Sequence, residues 1–207
     1  MKTILQIVIG IAIAVLAYLL YDSLMHPIRF NQAVQHRKDL VVERLIDIRS
    51  LQSSYKDEHG KFTESFDSLI HYFKEGNVSV VRQIGSMDDT AAVARGEVRR
   101  DTIRIPARDT LSKVLKVFKI NEKFNIDSLR YVPIVGDEFE MKAVMYKSIS
   151  NIMIPLFEAG VNNDVYLRGL DRQLIVNLND DQKKMNKWPG VKVGSIDQPN
   201  NNAGNWE

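Results

Sequence analysis

The chain opens with a long uncharged run whose hydrophobic pattern predicts a membrane-spanning helix. Nineteen residues, from Thr3 to Tyr21, lie between Lys2 and Asp22 without a charge. As an α-helix such a run is about 28 Å long, close to the hydrocarbon core of a bilayer. A helix pairs its own backbone groups, so lipid is a favourable environment for it. We therefore expect residues 1–22 to form a transmembrane signal anchor.

A cleaved signal peptide is the alternative interpretation of this run. Ala12-Ile13-Ala14 has the small-x-small form of a cleavage site, but cleavage there would leave the apolar segment VLAYLLY at the new N-terminus. An uncleaved anchor is therefore favoured. Tyr18 and Tyr21 suit the aromatic belt at a membrane surface, and Gly10 and Ala14 form a small-xxx-small pair that can seat a partner helix.

The charges that flank the run argue in both directions about its orientation. Lys2 favours a cytoplasmic N-terminus, whereas Arg29, Arg37 and Lys38 favour the reverse. Long domains cross membranes largely regardless of their charge. We therefore expect a single-pass topology with the large domain outside the cytoplasm.

Beyond Pro27 the spacing of apolar residues predicts a long amphipathic helix from Ile28 to Glu58. Apolar positions recur mostly in steps of three, four and seven, which indicates one buried helix face. The opposite face is charged and expected to be solvated, so reversing Arg37 or Arg49 should change the folding free energy by only about 0.5 kcal/mol or less. The apolar face comprises Phe30, Val34, Val41, Leu45, Ile48, Leu51 and Tyr55, and the charged face Arg37, Lys38, Glu43, Arg44, Asp47 and Arg49.

The segment His59-Gly60-Lys61 is expected to end this helix, because glycine suits a left-handed cap. Thr63 can then cap a short helix from Glu64 to Phe73, whose apolar side includes Phe66 and Leu69. Residues 23–76 are therefore predicted to form a helical stem.

Residues 77–197 are predicted to form an α+β domain with a small antiparallel sheet. The polar end of the chain, residues 198–207, is expected to be a flexible tail. Strands are predicted at Val78–Gln83, Thr102–Ile105, Ser128–Val135, Phe139–Lys147, Ile152–Phe157, Val165–Leu167 and Val191–Ile196, and helices at Ser86–Arg100, after the cap Asp109, and at Asp171–Lys187. The predicted fold class is α+β, with a transmembrane helix that continues into a long amphipathic helix packed on the sheet.

Composition excludes several classes of function. The net charge is +2, from 28 basic and 26 acidic residues, so there is no overall basic field to attract nucleic acid. The chain has no cysteine, which excludes disulfides, thiolate metal sites and cysteine nucleophiles. Nucleic acid is therefore not an expected partner.

No set of residues has the spacing of a catalytic or metal site. The histidines His26, His36, His59 and His71 lack the spacing of zinc ligands. The pairs Asp88-Asp89 and Asp180-Asp181 are better explained as helix starts than as calcium ligands. The sequence also lacks a G-x-S-x-G elbow and a glycine-rich phosphate loop. We therefore predict a protein that is not an enzyme, with no cofactor, no metal and no identified small-molecule substrate.

Residues 1–75 resemble type IV pilins and the pseudopilins of secretion systems. The segment SLQSSYKDEHGKFTESFDSLIHYF places a tyrosine, a glycine and apolar residues as those families do, at Tyr55, Gly60, Phe62, Phe66 and Leu69. The chain departs from the family in lacking an acidic residue before Asp22, so the resemblance does not extend to peptidase processing. It implies a stem that packs on its own domain through Leu45, Ile48, Tyr55, Gly60, Phe62, Phe66 and Leu69.

Two further segments, DSLRYVPIVGDEFEM and PGVKVGSIDQPNNNAGNWE, resemble uncharacterised membrane-anchored envelope proteins of Bacteroidetes. That resemblance implies a Gram-negative setting. In such a cell the predicted single-pass topology corresponds to an inner-membrane protein with its C-terminal domain in the periplasm. The expected function is a non-enzymatic structural or assembly component of a pilin-like or secretion-type machine, with the lipid bilayer and other envelope proteins as partners. The alternatives are an anchored periplasmic ligand-binding or accessory domain, and an enzyme with a dispersed site.

Overall fold

The structure is a computed structural model that describes residues 2–84 and 99–207. Its fold class is α+β, with one long N-terminal helix and two small antiparallel sheets. The α+β prediction is therefore confirmed.

Helix α1 spans Lys2–His59 as one element that includes Pro27. The predicted boundary between anchor and stem thus lies inside a continuous helix. Among the described residues, one helix is long and apolar enough to cross a membrane, with a window of mean hydropathy 1.6 in which no residue is buried. The same helix therefore joins the apolar N-terminal segment to the folded domain.

The chain next forms a helix and a two-stranded ribbon. Helix α2, Phe66–Glu75, begins after Ser65, whose side chain accepts a hydrogen bond from the N–H of Ser68. Strands β1, Asn77–Ile84, and β2, Arg99–Pro106, pair antiparallel. The predicted helix Ser86–Arg100 lies mostly outside the described residues, and its last two residues belong to β2.

The remaining elements form a second sheet and the helices around it. The strand order in this sheet is β3-β4-β5, with both pairs antiparallel. The elements are α3 (Ala107–Val114), α4 (Lys116–Ile120), a 3-10 helix (Ile126–Arg130), β3 (Glu140–Lys147), β4 (Met153–Asn162), α5 (Asn163–Tyr166), α6 (Arg172–Lys184) and β5 (Gly190–Gly194).

Two predicted strands are wrong. Ser128–Val135 lies partly in the 3-10 helix, because the Asn125 side chain accepts a hydrogen bond from the N–H of Asp127 and starts a helical turn. Val165–Leu167 overlaps the short helix α5, which follows directly where β4 ends. A side-chain cap thus overrides β propensity at the first place, and the end of β4 does so at the second. The predicted strands within 139–157 and 191–196 and the helix within 171–187 are confirmed, with shifted ends.

One hydrophobic cluster joins α1 to the sheet and the other helices. Its fully buried members come from α1, from α2, from the inner face of the β3-β4-β5 sheet and from the short helices and loops between them. Because α1 contributes a whole row of buried side chains, it forms a wall of the core. The row comprises Val41, Leu45, Ile48 and Leu51, and the facing residues include Leu69, Phe157, Ala159, Val161, Val191 and Val193.

The expected loose tail at residues 198–207 is instead hydrogen-bonded along β5. The N–H of Gly194 donates to the carbonyl of Ala203 at 3.0 Å, and the N–H of Asn205 donates to Lys192 at 3.0 Å. Trp206 packs partly buried against the core. The polar composition did not indicate this attachment, because most of its contacts are hydrogen bonds made by backbone groups and by polar side chains such as Asn205.

Candidate membrane anchor and its junction with the domain

The N-terminal part of α1 exposes apolar side chains on every side of the helix. Ile11, Leu16 and Leu20 are 60%, 65% and 64% exposed, and Tyr18 and Tyr21 are 68% and 57% exposed. Such an exposed apolar surface is unfavourable in water and marks a membrane or protein contact. The segment is therefore a candidate membrane anchor.

The small-residue pair of the anchor is open to a neighbour. A Cβ added at Gly10 would meet no atom within 4 Å, and Ala14 is exposed one turn further on. In the described part of the chain, no other element covers this site. The pair therefore remains a prediction for helix contact within a bilayer.

The folded domain begins close to the end of the anchor. His26 Nε2 lies 3.6 Å from the Asp171 carboxylate, in the loop before α6. Phe30 and Val34 are partly buried against the core. Since each helical residue adds about 1.5 Å, His26 is only about 7.5 Å beyond Tyr21 along the axis. A membrane around the anchor would thus lie directly against the loop that contains Asp171.

The stem residues expected to pack together lie in one cluster. Leu45, Ile48 and Leu69 are 0% exposed, and Phe62 and Phe66 are 6% and 9% exposed. All of them belong to the same core. The cluster thus joins α1, the loop that follows it and α2.

The end of α1 is fixed by aromatic contacts and a left-handed glycine. The Tyr55 ring stacks on His59 with centroids 4.1 Å apart, and Phe62 lies 4.7 Å from the Phe157 ring of β4. Gly60 has a φ of 72°, a conformation that glycine adopts without strain. The chain can therefore reverse immediately after α1 and place Phe62 on the sheet.

Asp47 corrects the expectation that the charged face of the stem is solvated. Its side chain is 1% exposed and accepts hydrogen bonds from the N–H groups of Lys116 at 2.6 Å and Val117 at 2.9 Å. These donors open helix α4, so Asp47 is a remote cap. Burial raises the pKa of its carboxyl, against the lowering effect of the two hydrogen bonds and of nearby Arg44.

Three arginines of the same face also bind the domain. Arg37 donates to the carbonyls of Tyr166 at 3.1 Å and Arg168 at 2.8 Å. Arg44 donates to Ser128 at 2.8 Å. The predicted tolerance of Arg37 to charge reversal is therefore replaced by an expected loss of stability, because loop carbonyls that periodicity cannot reveal depend on this guanidinium.

Arg49 ties the C-terminal segment to the stem in the same way. Its guanidinium donates to the carbonyl of Asn202 at 3.3 Å and to the Glu207 carboxylate at 2.6 Å. The prediction that Arg49 is a solvated residue is corrected by these contacts. The polar face of the stem therefore makes hydrogen bonds to the rest of the domain along its length from Arg37 to Arg49.

Gln52 is a buried polar residue that the sequence reasoning missed. It is 0% exposed, donates to the carbonyl of Thr63 at 2.6 Å and accepts from the Thr63 N–H at 3.2 Å. Both hydrogen bonds fasten the loop between α1 and α2. A signal was present, because Gln52 lies four residues after Ile48 and so falls on the apolar face.

A polar cleft lies where the end of α1 meets α2 and β2. Its volume is about 390 Å³, and its walls include Glu58, His59, Tyr72 and Arg104. Within the described residues, no three histidine or carboxylate side chains converge closely enough to hold a metal ion. The cleft can offer hydrogen bonds and charge to a small polar molecule.

Comparison with protein-family models, curated proteins and solved structures finds no match to this chain. The α+β fold and the candidate anchor therefore stand on the geometry alone. The pilin-like resemblance of residues 1–75 stays a prediction.

Proposed function

We propose that the chain is a single-pass membrane-anchored envelope protein and a non-enzymatic component of a pilin-like or secretion-type assembly. One observation carries the proposal. A single uninterrupted helix, Lys2–His59, is apolar and exposed at its beginning and forms part of the domain core towards its end. Such a helix serves both as an anchor and as the backbone of the domain.

The way α1 is held in the domain supports a structural role. Its apolar face is buried, and its polar face binds the domain through Arg37, Asp47 and Arg49. A helix held on several sides resists tilting within its domain. The position of the domain relative to the membrane would then follow that of the anchor, as an assembly component requires.

For location, we propose the inner membrane with the C-terminal domain in the periplasm. The length of the domain supports this orientation, because long domains cross membranes largely regardless of their charge. A periplasmic reporter fused after Glu207 should be active and a cytoplasmic reporter should be silent. The reverse pattern would place the domain in the cytoplasm.

Membrane extraction tests the anchor with a matched control. The full chain should remain in the membrane pellet after carbonate treatment. The double variant Ile11→Arg/Leu16→Arg should be released, because each arginine near the bilayer centre costs about 2.5–3.5 kcal/mol on insertion scales. The control Ile28→Arg/Ile120→Arg changes two exposed isoleucines outside the anchor and should stay in the pellet. Equal extraction of both double variants would contradict the proposal.

The assembly role is tested by in vivo cross-linking on the outward side of the stem. Gln35 and Asp39 are exposed on α1, and Gln35 donates to Asp39 at 2.7 Å. A photoreactive residue at position 35 should cross-link to a defined envelope protein, and Asp39→Arg should weaken that product without changing the melting temperature. Cross-linking to lipid alone would oppose the assembly role.

A second candidate is an anchored ligand-binding domain, which the polar cleft beside His59 and Arg104 favours. Binding of a small molecule that is lost on Arg104→Ala, with cross-linking at position 35 unaffected, would support this candidate. Loss of both signals in the same variant would instead indicate a folding defect.

A further inference from the structure

The two edge strands of the β3-β4-β5 sheet differ in their backbone hydrogen bonds. The outer side of β5 is covered by the C-terminal segment, through Gly194, Ala203 and Asn205. For β3, Glu140–Lys147, the backbone hydrogen bonds within the described residues all join it to β4. Among residues 2–84 and 99–207, strand β3 is therefore a free edge, and its N–H and C=O groups that have no partner there can pair with another extended chain.

A groove runs beside the free edge. Its volume is about 460 Å³, and it is bounded by the loop Lys61–Ser65 on one side and by Ala143, Val144 and Met145 of β3 on the other. Phe62 and Tyr55 also line it. An added strand would place alternate side chains in this groove, because successive residues point to opposite faces.

Apolar side chains are exposed along this edge and at the turn that follows it. Val144 is 40% and Met145 is 48% exposed, and Ile152 and Met153 are 61% and 52% exposed. Ile149 in the turn is fully exposed, at 105%. Contiguous exposed apolar surface of this kind marks a protein contact.

The charged side chains near β3 indicate which charge an added strand should have. Lys142 and Lys147 are exposed on β3, and Lys61 is exposed on the opposite wall of the groove. Glu64 on the same wall and Glu140 at the start of β3 are exposed carboxylates. Two further carboxylates near this edge are already ion-paired, Glu138 with Arg130 at 3.6 Å and Glu158 with Lys192 at 2.8 Å. The excess of lysine favours a partner with acidic residues. Antiparallel pairing with a second copy would instead bring another set of lysines to the same edge.

We propose that β3 is the docking edge for an extended acidic-apolar segment of a partner protein, which adds to the sheet as a fourth strand. Acidic side chains of the segment lie opposite Lys142 and Lys147, and apolar side chains enter the groove beside Met145. The inference deepens the assembly role proposed above and rests on it. Its binding test is made in detergent, so it does not depend on which membrane holds the chain.

The probes are synthetic peptides, and the protein is the full chain in detergent micelles. The peptide ETVTFEVT, laid antiparallel to β3, places glutamates opposite Lys147 and Lys142. The peptide KTVTFKVT reverses both charges. The peptide ETPPFEVT keeps both glutamates but lacks two neighbouring backbone N–H donors, one of which must face β3 in a paired strand. Fluorescence anisotropy should show that the acidic peptide binds about tenfold more tightly than the basic one, because two cross-strand pairs change from attraction to repulsion. The proline peptide should not bind.

A charge exchange on the protein makes the test independent of folding defects. Lys142→Glu/Lys147→Glu should reverse the preference, so that KTVTFKVT becomes the tighter ligand, a gain that a misfolded protein cannot give. The control Lys113→Glu/Lys119→Glu, on α3 and α4, makes the same change in net charge and should keep the original preference. Equal binding of the acidic and basic peptides, or no reversal in the exchanged variant, would overturn the proposal. So would a concentration-dependent dimer abolished by Lys142→Glu/Lys147→Glu, because a second copy would then occupy the edge.

Discussion

Asp47 shows how a single buried side chain can fix two elements. Its carboxylate lies on α1 and accepts both N–H groups that open helix α4, Lys116–Ile120. The helix has only five residues, too short to be stable alone. Its position on the stem therefore depends on this cap together with buried Val117.

Removing the cap should destabilise the domain measurably. Asp47→Ala leaves two backbone donors without their partner and is expected to lower the free energy of unfolding by about 1–3 kcal/mol. Asp39→Ala removes an exposed aspartate from the same helix and should change it by about 0.5 kcal/mol or less. Urea denaturation of the full chain in detergent measures both. Equal stability of the two variants would show that α4 does not need the cap.

The same carboxyl should make stability depend on pH. Burial raises the pKa of Asp47 above its ordinary value of 3.8. A carboxyl whose pKa is higher in the folded state stabilises the fold below the ordinary pKa, and this contribution is lost as the pH rises through the raised value. Relative to Asp47→Asn, the wild-type chain should therefore lose stability as the pH rises from the ordinary pKa. Denaturation midpoints of the two proteins at several pH values test this, and a constant difference would refute it.

At the scale of elements, α1 is held from its apolar face and from its charged face. The apolar face places Leu45 and Ile48 in the core. The charged face supplies donors to loops distant in sequence, as Arg37 does at Tyr166 and Arg168. Substitutions on either face should therefore loosen the helix, for different reasons.

The apolar face is tested by a buried charge. Ile48→Asp places an unpaired carboxylate at a site that is 0% exposed and should cost several kcal/mol, about as much as a domain of ordinary stability can lose. Ile28→Asp makes the same change where the side chain is 46% exposed and should be tolerated. Thermal melts monitored by circular dichroism separate the two. A wild-type melt for Ile48→Asp would mean that α1 is not docked on its domain.

The charged face is tested by Arg37→Glu. This variant removes two hydrogen bonds to loop carbonyls and places a carboxylate beside them, so a loss of about 1–3 kcal/mol is expected. Arg29→Glu is the control, because Arg29 is 59% exposed and its ion-pair partner is Asp22 at 3.7 Å. That loss should be about 1 kcal/mol or less. If Arg37→Glu were as stable as the control, the carbonyl contacts would have no energetic role.

Sequence periodicity predicts those elements whose apolar residues repeat over several turns or alternate along a strand. The buried row that includes Leu45 and Ile48, and the strand within Phe139–Lys147, are of this kind. Periodicity does not predict the surroundings of a side chain whose position depends on one distant contact, because spacing carries no information about tertiary partners. For that reason Asp47 and Arg37 were expected to be solvated. Gln52 lies within the apolar row, so its burial could have been predicted.

At the scale of the whole molecule, a membrane around the candidate anchor would give each part of the domain a height set by α1. Asp171 lies 3.6 Å from His26, just beyond the anchor. Phe157 contacts Phe62, which follows the far end of α1, at 4.7 Å between ring centroids. The turn between β3 and β4 lies further along the same hairpin. The loop before α6 is therefore expected near the lipid headgroups, and the β3-β4 turn about 50 Å away from them.

Fluorescent labels at the two ends of the domain test this arrangement. A label on Arg172→Cys, in a residue 78% exposed next to Asp171, should be strongly quenched by acceptor-labelled lipid headgroups in liposomes. A label on Ile149→Cys, at a fully exposed turn, should be quenched little, because energy transfer falls steeply with distance. The chain has no cysteine of its own, so each label has a single site. The double variant Ile11→Arg/Leu16→Arg should lose the quenching at position 172, which ties that signal to the anchor. Equal quenching at both positions would mean that the domain lies flat on the membrane, and α1 would then have to bend between the anchor and the stem.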